Sequence, residues 1–178
     1  GMKREELLAT LAILAEDYEA WIGEQRSRIG TGLVGHDVPA KATLERCVSI
    51  LTRLREGLDV LGSNDAALEA FLFTNRAMAS QRVRSEYALS VRRGEGVDFA
   101  LFDVSERRSW RPFQLAFILL AIPALADPTH RDRTEPLDAY ADLLWFPTGG
   151  GKTEAYLGVA AFTMAVRRLQ GNLGGLDG

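Results

Sequence analysis

The sequence predicts a mainly α fold: an N-terminal helical bundle followed by one strand, a glycine-rich loop and a closing helix. Three observations point that way. Apolar residues recur at steps of three and four through most of the first 93 residues. The most apolar run, Leu115–Ala126, is interrupted by Pro123 and is far shorter than the roughly 20 residues a membrane-spanning helix needs, so no membrane partner is expected. Finally, the short apolar run Leu143–Phe146 leads directly into Gly149, Gly150 and Gly151.

The first helix is expected from Met2 to about Gln25, with Leu7, Leu11, Leu14, Tyr18 and Ile22 on one side and Glu5, Glu6, Glu16, Asp17 and Glu19 on the other. Glycines 30, 32 and 35 make a loop, and Asp37 with Pro39 opens the second helix. Its seam, Leu44, Cys47, Leu51, Leu54, Leu58 and Leu61, keeps a strict 3-4-3-4-3 spacing suited to packing on neighbouring helices. Ser63 and Asn64 are cap candidates for a third helix, which buries Leu68, Phe71, Leu72, Met78 and Val83. Asn75 falls on that same side, so its amide needs a partner.

Gly94 and Gly96 end the pattern. Residues 97–104 read as a short strand or an irregular link. Pro112 suits the first turn of a helix that runs to about Ala126, kinked at Pro123. Residues 127–136 form a loop, and Thr153 to Leu169 form a last helix with apolar positions Tyr156, Leu157, Ala160, Ala161, Met164 and Val166. The domains implied are 2–93, helical; 94–109, a linker; and 110–178, the strand–loop–helix unit.

Charge and cysteine content exclude some classes and leave others open. At −3 over 178 residues, net charge neither shows nor excludes nucleic-acid binding. Arg76, Arg82, Arg84, Arg92, Arg93, Arg107, Arg108 and Arg111 are interspersed with Glu86, Glu95, Asp98, Asp103 and Glu106, which reads as a solvated helical face. Cys47 is the single cysteine, so neither an internal disulfide nor a cysteine zinc cluster is available, and a cytoplasmic setting is expected. His36 and His130 fall in predicted loops without partners.

The loop carries the chemistry. Three consecutive glycines let successive N–H groups turn toward one anion. Lys152 can reach β- and γ-phosphates, and the Thr153 hydroxyl can ligate Mg²⁺ at the positive end of the helix that starts there. Thr148, Gly149, Gly150, Gly151, Lys152 and Thr153 are therefore the candidate phosphate-binding residues. Phe146 stands where the common P-loop pattern has its first glycine, so the strict motif is missed.

The stretch "FPTGGGKTEA" resembles motif I of superfamily 2 helicases, matched at Pro147, Thr148, Gly149, Gly151, Lys152 and Thr153. "WRPFQ", Trp110–Gln114, is similar to the Arg-Pro-aromatic-Gln element that precedes that motif, and the resemblance implies an adenine contact by Gln114. A carboxamide suits adenine because its C=O and NH₂ complement the base's N6 donor and N7 acceptor. Together with "NRAMASQ", these segments resemble the DISARM phage-defence helicases of the DrmA type. That resemblance implies an ATP-driven, DNA-acting motor using ATP and Mg²⁺, with partner subunits of a defence system and an all-helical region ahead of a RecA-like lobe.

Beyond Lys152 the only acids are Glu154 and Asp177, so the acidic second motif that holds Mg²⁺ and orients water is missing, as is an arginine finger. The chain is expected to be the N-terminal part of a longer helicase, its RecA-like unit incomplete and unable by itself to turn over ATP. The alternative is a helical protein- or nucleic-acid-interaction module with a vestigial P-loop. A lone strand at Leu143–Phe146 must pair with 97–104, pair with a second copy in a homodimer, or give up strand geometry.

Overall fold

The computed structural model describes residues 3–31, 35–134, 141–145, 147 and 149–172. Among these residues six α-helices follow in chain order: α1 Arg4–Ser27, α2 Asp37–Ser63, α3 Asp65–Arg92, α4 Pro112–Ala126, the single turn α5 Arg131–Thr134, and α6 Lys152–Gln170. Between α3 and α4 the chain makes two 3₁₀ turns, Phe99–Leu101 and Ser105–Arg107. α1 packs on α2, α2 on α4, and α6 on both α3 and α4.

One main core joins helices from both ends of the chain. Leu11 of α1, Leu54 and Leu61 of α2, Phe71 of α3, Ile118, Leu119 and Ile122 of α4, and Phe162 and Val166 of α6 meet in a single buried cluster. Each large side chain enclosed there contributes about 1.5–3 kcal/mol of transfer free energy. A smaller cluster, Ala15, Ile22, Leu44 and Leu51, joins α1 to α2. Burial there, beside the Cys47 thiol, pushes the Tyr18 phenol above its usual range.

The α2 seam lies where its spacing puts it, with Leu44, Leu51, Leu54 and Leu61 buried. Asn64 caps α3, its side-chain oxygen accepting from the Ala67 N–H at 3.0 Å. On α3 the buried stripe is made of Ala67, Ala70, Phe71, Thr74 and Met78, and Leu72 is exposed rather than buried. Leu72 lies one residue, or about 100° of helix rotation, off that stripe.

α4 continues through Pro123 to Ala126. Proline has no N–H, so the Leu119 carbonyl four residues earlier loses its intrahelical donor. α2 meets α4 at this place through Gly57: a Cβ on Gly57 would lie 2.3 Å from the Leu119 oxygen. The glycine lets the two backbones approach where α4's hydrogen-bond ladder is broken, with room for a weak Cα–H contact to the freed oxygen.

Two expectations are corrected. Among the described residues there is no strand, so the strand–loop–helix part of a RecA-like unit is not formed and the helical bundle alone stands. Residues 141–145 have no regular structure, and Leu143 and Trp145 are 80% and 87% exposed. A strand is stable only if its N–H and C=O groups are paired, and residues 97–104, with a 3₁₀ turn at Phe99–Leu101, offer no ladder. Phe146 lies outside the described residues. In α6 the face is also different: Ala155, Gly158, Phe162 and Val166 are buried, whereas Tyr156, Leu157 and Met164 are exposed. Close approach explains the choice, because a Cβ at Gly158 would lie 2.7 Å from Ile118 Cδ1 and 3.0 Å from the Trp110 ring.

Candidate phosphate-binding site

The glycine loop bends because Gly149 and Gly151 adopt left-handed backbones, φ 79° and 90°, which cost other residues about 1–2 kcal/mol each. The Pro147 carbonyl accepts from the Gly150 N–H at 3.1 Å and from Lys152 Nζ at 3.2 Å, so the lysine folds back over its own loop. Gly151 occupies the N-cap position of α6 and offers no side chain to cap it. First-turn N–H groups there point outward at the positive end of a 19-residue helix, which favours anions. Thr153 is exposed in that turn, and Thr148 lies outside the described residues.

With no sheet beneath it, the loop is held by the start of α4. Arg111 donates from its guanidinium to the Gly150 carbonyl at 2.7 Å. Gln114 is buried and bridges two backbones: its amide oxygen accepts from the Arg111 N–H at 2.9 Å, and its amide nitrogen donates to the Gly151 carbonyl at 2.7 Å. Accepting from the N-cap N–H is the third-residue half of a capping box, which explains why a glutamine suits this position.

α3 fixes the same junction from the other side. Trp110 Nε1 donates to Asn75 Oδ1 at 2.6 Å, while Asn75 Nδ2 donates to the Phe71 carbonyl at 2.8 Å, satisfying the amide predicted to need a partner. Between Asn75, Trp110, Gln114 and Glu154 lies a cavity of about 20 Å³, room for one water and far too small for a purine. The structure thus brings Gln114 to Gly151 of the loop. It also engages both polar atoms of Gln114 with protein.

Sequence reading did not assign Arg111 to the site, although it stands in the Trp110–Gln114 element. It also missed a buried ionic cluster that anchors the chain leading to the loop. Arg53 of α2 is 5% exposed. Its guanidinium pairs in two-pronged fashion with Asp142, at 2.8 and 2.7 Å, and its Nε lies 3.3 Å from buried Asp132. His130, expected to be a loop residue without partners, has Nε2 3.1 Å from Glu56 and accepts at Nδ1 from the Asp132 N–H. No local pattern announces this, because its members come from α2 and from two places more than 70 residues later.

Fold and loop define a helical protein that presents a lysine-bearing glycine loop at a helix N-terminus, clamped by the first turn of a neighbouring helix. The chain is 38% identical over 168 residues to the DISARM protein DrmA of Bacillus paralicheniformis, an alignment covering 93% of this chain and 14% of that protein. It is thus related to DrmA, as the resemblance implied, and spans about a seventh of that relative's length. No protein-family model matches the chain. None of the described helices is long and apolar enough to cross a membrane.

Proposed function

We propose that this chain carries the phosphate-recognising element of an ATP-dependent DNA helicase or translocase that works in cytoplasmic phage defence. Similarity to a DISARM protein supports the defence setting. The observation that carries the nucleotide reading is the convergence of two elements distant in sequence: Gln114 on Gly151 and Arg111 on Gly150, each at 2.7 Å. Gly149 to Lys152 would receive the phosphates, with Lys152 and Arg111 as flanking cations, and Thr153 would ligate the Mg²⁺ of the bound nucleotide. DNA and partner defence subunits belong to this proposal for the whole protein.

The donor set fits a phosphate chain, while the base end does not fit in this arrangement. For Gln114 to hold adenine, its carboxamide must release both Gly151 and Arg111, and the 20 Å³ cavity beside it must open. Lys152 must likewise leave the Pro147 carbonyl. Mg-ADP binding by this chain, measured by calorimetry, is therefore expected to be weaker than micromolar and to be lost in Lys152→Ala. ATP turnover is expected at background, since no acidic second motif follows Lys152. Micromolar affinity, binding indifferent to Lys152→Ala, or Mg²⁺-dependent turnover that Lys152→Ala abolishes would contradict this account.

A further inference from the structure

A groove of about 380 Å³ runs between α3 and the connector that follows it, lined by Arg76 and Arg84 of α3, Arg108, Asp103, and the apolar pair Val83 and Phe99. Three guanidinium groups face one carboxylate. Arg76 has no ion-pair partner among the described residues. Arg84 Nε donates to Ser80 Oγ at 3.2 Å, which orients its guanidinium without neutralising it. Arg108 lies 3.2 Å from Asp103, but with side chains 42% and 49% exposed that pair is screened and readily exchanged for a phosphate. Nearby Glu86 and Glu95 are paired elsewhere, with Arg82 and Arg93.

Phe99 supplies the second element. Its ring meets Tyr87 edge-on at 5.3 Å, and Tyr87 in turn meets buried Phe102 at 6.0 Å, so the ring is fixed against α3 while remaining 39% exposed. Arginines spaced along a groove beside a held aromatic ring are what binds a nucleic-acid strand: the cations take phosphates and the ring stacks a base. Only an unpaired base has a free face to stack, which favours a single strand over a duplex.

We infer that this groove binds single-stranded nucleic acid through Arg76, Arg84 and Arg108, with one base on Phe99. The inference rests on the nucleic-acid half of the proposed function and is independent of its nucleotide half. Arg108 and Ala79 also line the small cavity that ends at Gln114, so the groove leads to the back of the phosphate loop. A strand bound there would lie on the same wall of α3 that holds Trp110 through Asn75.

The test is fluorescence anisotropy of a labelled 20-residue oligothymidine with the 178-residue chain at low salt. Wild type is expected to bind, and Arg76→Ala/Arg84→Ala to bind at least about tenfold more weakly, with the salt slope reduced by about two. Phe99→Leu keeps the apolar volume and removes the ring; it is expected to weaken strand binding roughly fivefold or more while leaving competition by inorganic tripolyphosphate unchanged. No binding by wild type, no effect of the arginine pair, or tripolyphosphate displacing the strand as well as unlabelled oligothymidine does would each overturn the inference. Mg-ADP titration of the same arginine variant separates the two proposals: retained nucleotide binding with lost strand binding supports the groove, and loss of both overturns its independence from the loop.

Discussion

Gly57→Ala is expected to destabilise the protein by about 3 kcal/mol. The new Cβ would meet the Leu119 carbonyl oxygen at 2.3 Å and its carbon at 3.0 Å. Both are backbone atoms, so no side-chain rotation relieves the clash. α2 and α4 must separate, loosening Leu54, Leu119 and Ile122 together. Alanine's higher intrinsic helix propensity returns at most about 1 kcal/mol. Urea denaturation should show a lower midpoint at unchanged slope. A stability within about 0.5 kcal/mol of wild type would show that the helices do not make this close contact.

Arg53→Leu is expected to cost about 3 kcal/mol as well, for an electrostatic reason. The buried Asp132 carboxylate, with a side chain only 6% exposed, would lose its nearest enclosed cation. Asp142, 29% exposed, loses a two-pronged partner but keeps access to water, so its share is smaller. Adding Asp132→Leu to Arg53→Leu should recover part of the loss, because an apolar pair of similar volume removes the stranded charge. Thermal melts of the single and double variants read this directly. A double variant less stable than Arg53→Leu alone would contradict the assignment of the cost to Asp132.

Local patterns were enough where one element determines the outcome. The leucine seam of α2, the Asn64 cap and the proline start of α4 follow from spacing and backbone chemistry, and each lies where those rules put it. The meeting of Trp110–Gln114 with the glycine loop was legible through the motif resemblance. Features that depend on a distant partner were not. Arg53 stands outside the leucine seam and is buried because Asp132 and Asp142 return to it. In α6 Gly158 wins the interface over Tyr156 and Leu157, since Ile118 and Trp110 lie too close to admit a Cβ there. The apolar run at Leu143 looked like a strand, but strands exist only as pairs, and the described residues supply no neighbour.

The central claim is that Trp110–Gln114 and Gly149–Thr153 form one phosphate-responsive unit. It is tested most directly by following backbone amide and indole N–H resonances of the 178-residue chain as Mg-ADP is added to millimolar concentration. The account predicts shifts at Gly149, Gly150, Gly151, Lys152 and Thr153 together with Arg111, Gln114 and the Trp110 indole, all lost in Lys152→Ala. Shifts confined to the loop, with Gln114 and Trp110 unmoved, would contradict the coupling; no loop shifts, or the same shifts in Lys152→Ala, would contradict the phosphate site itself.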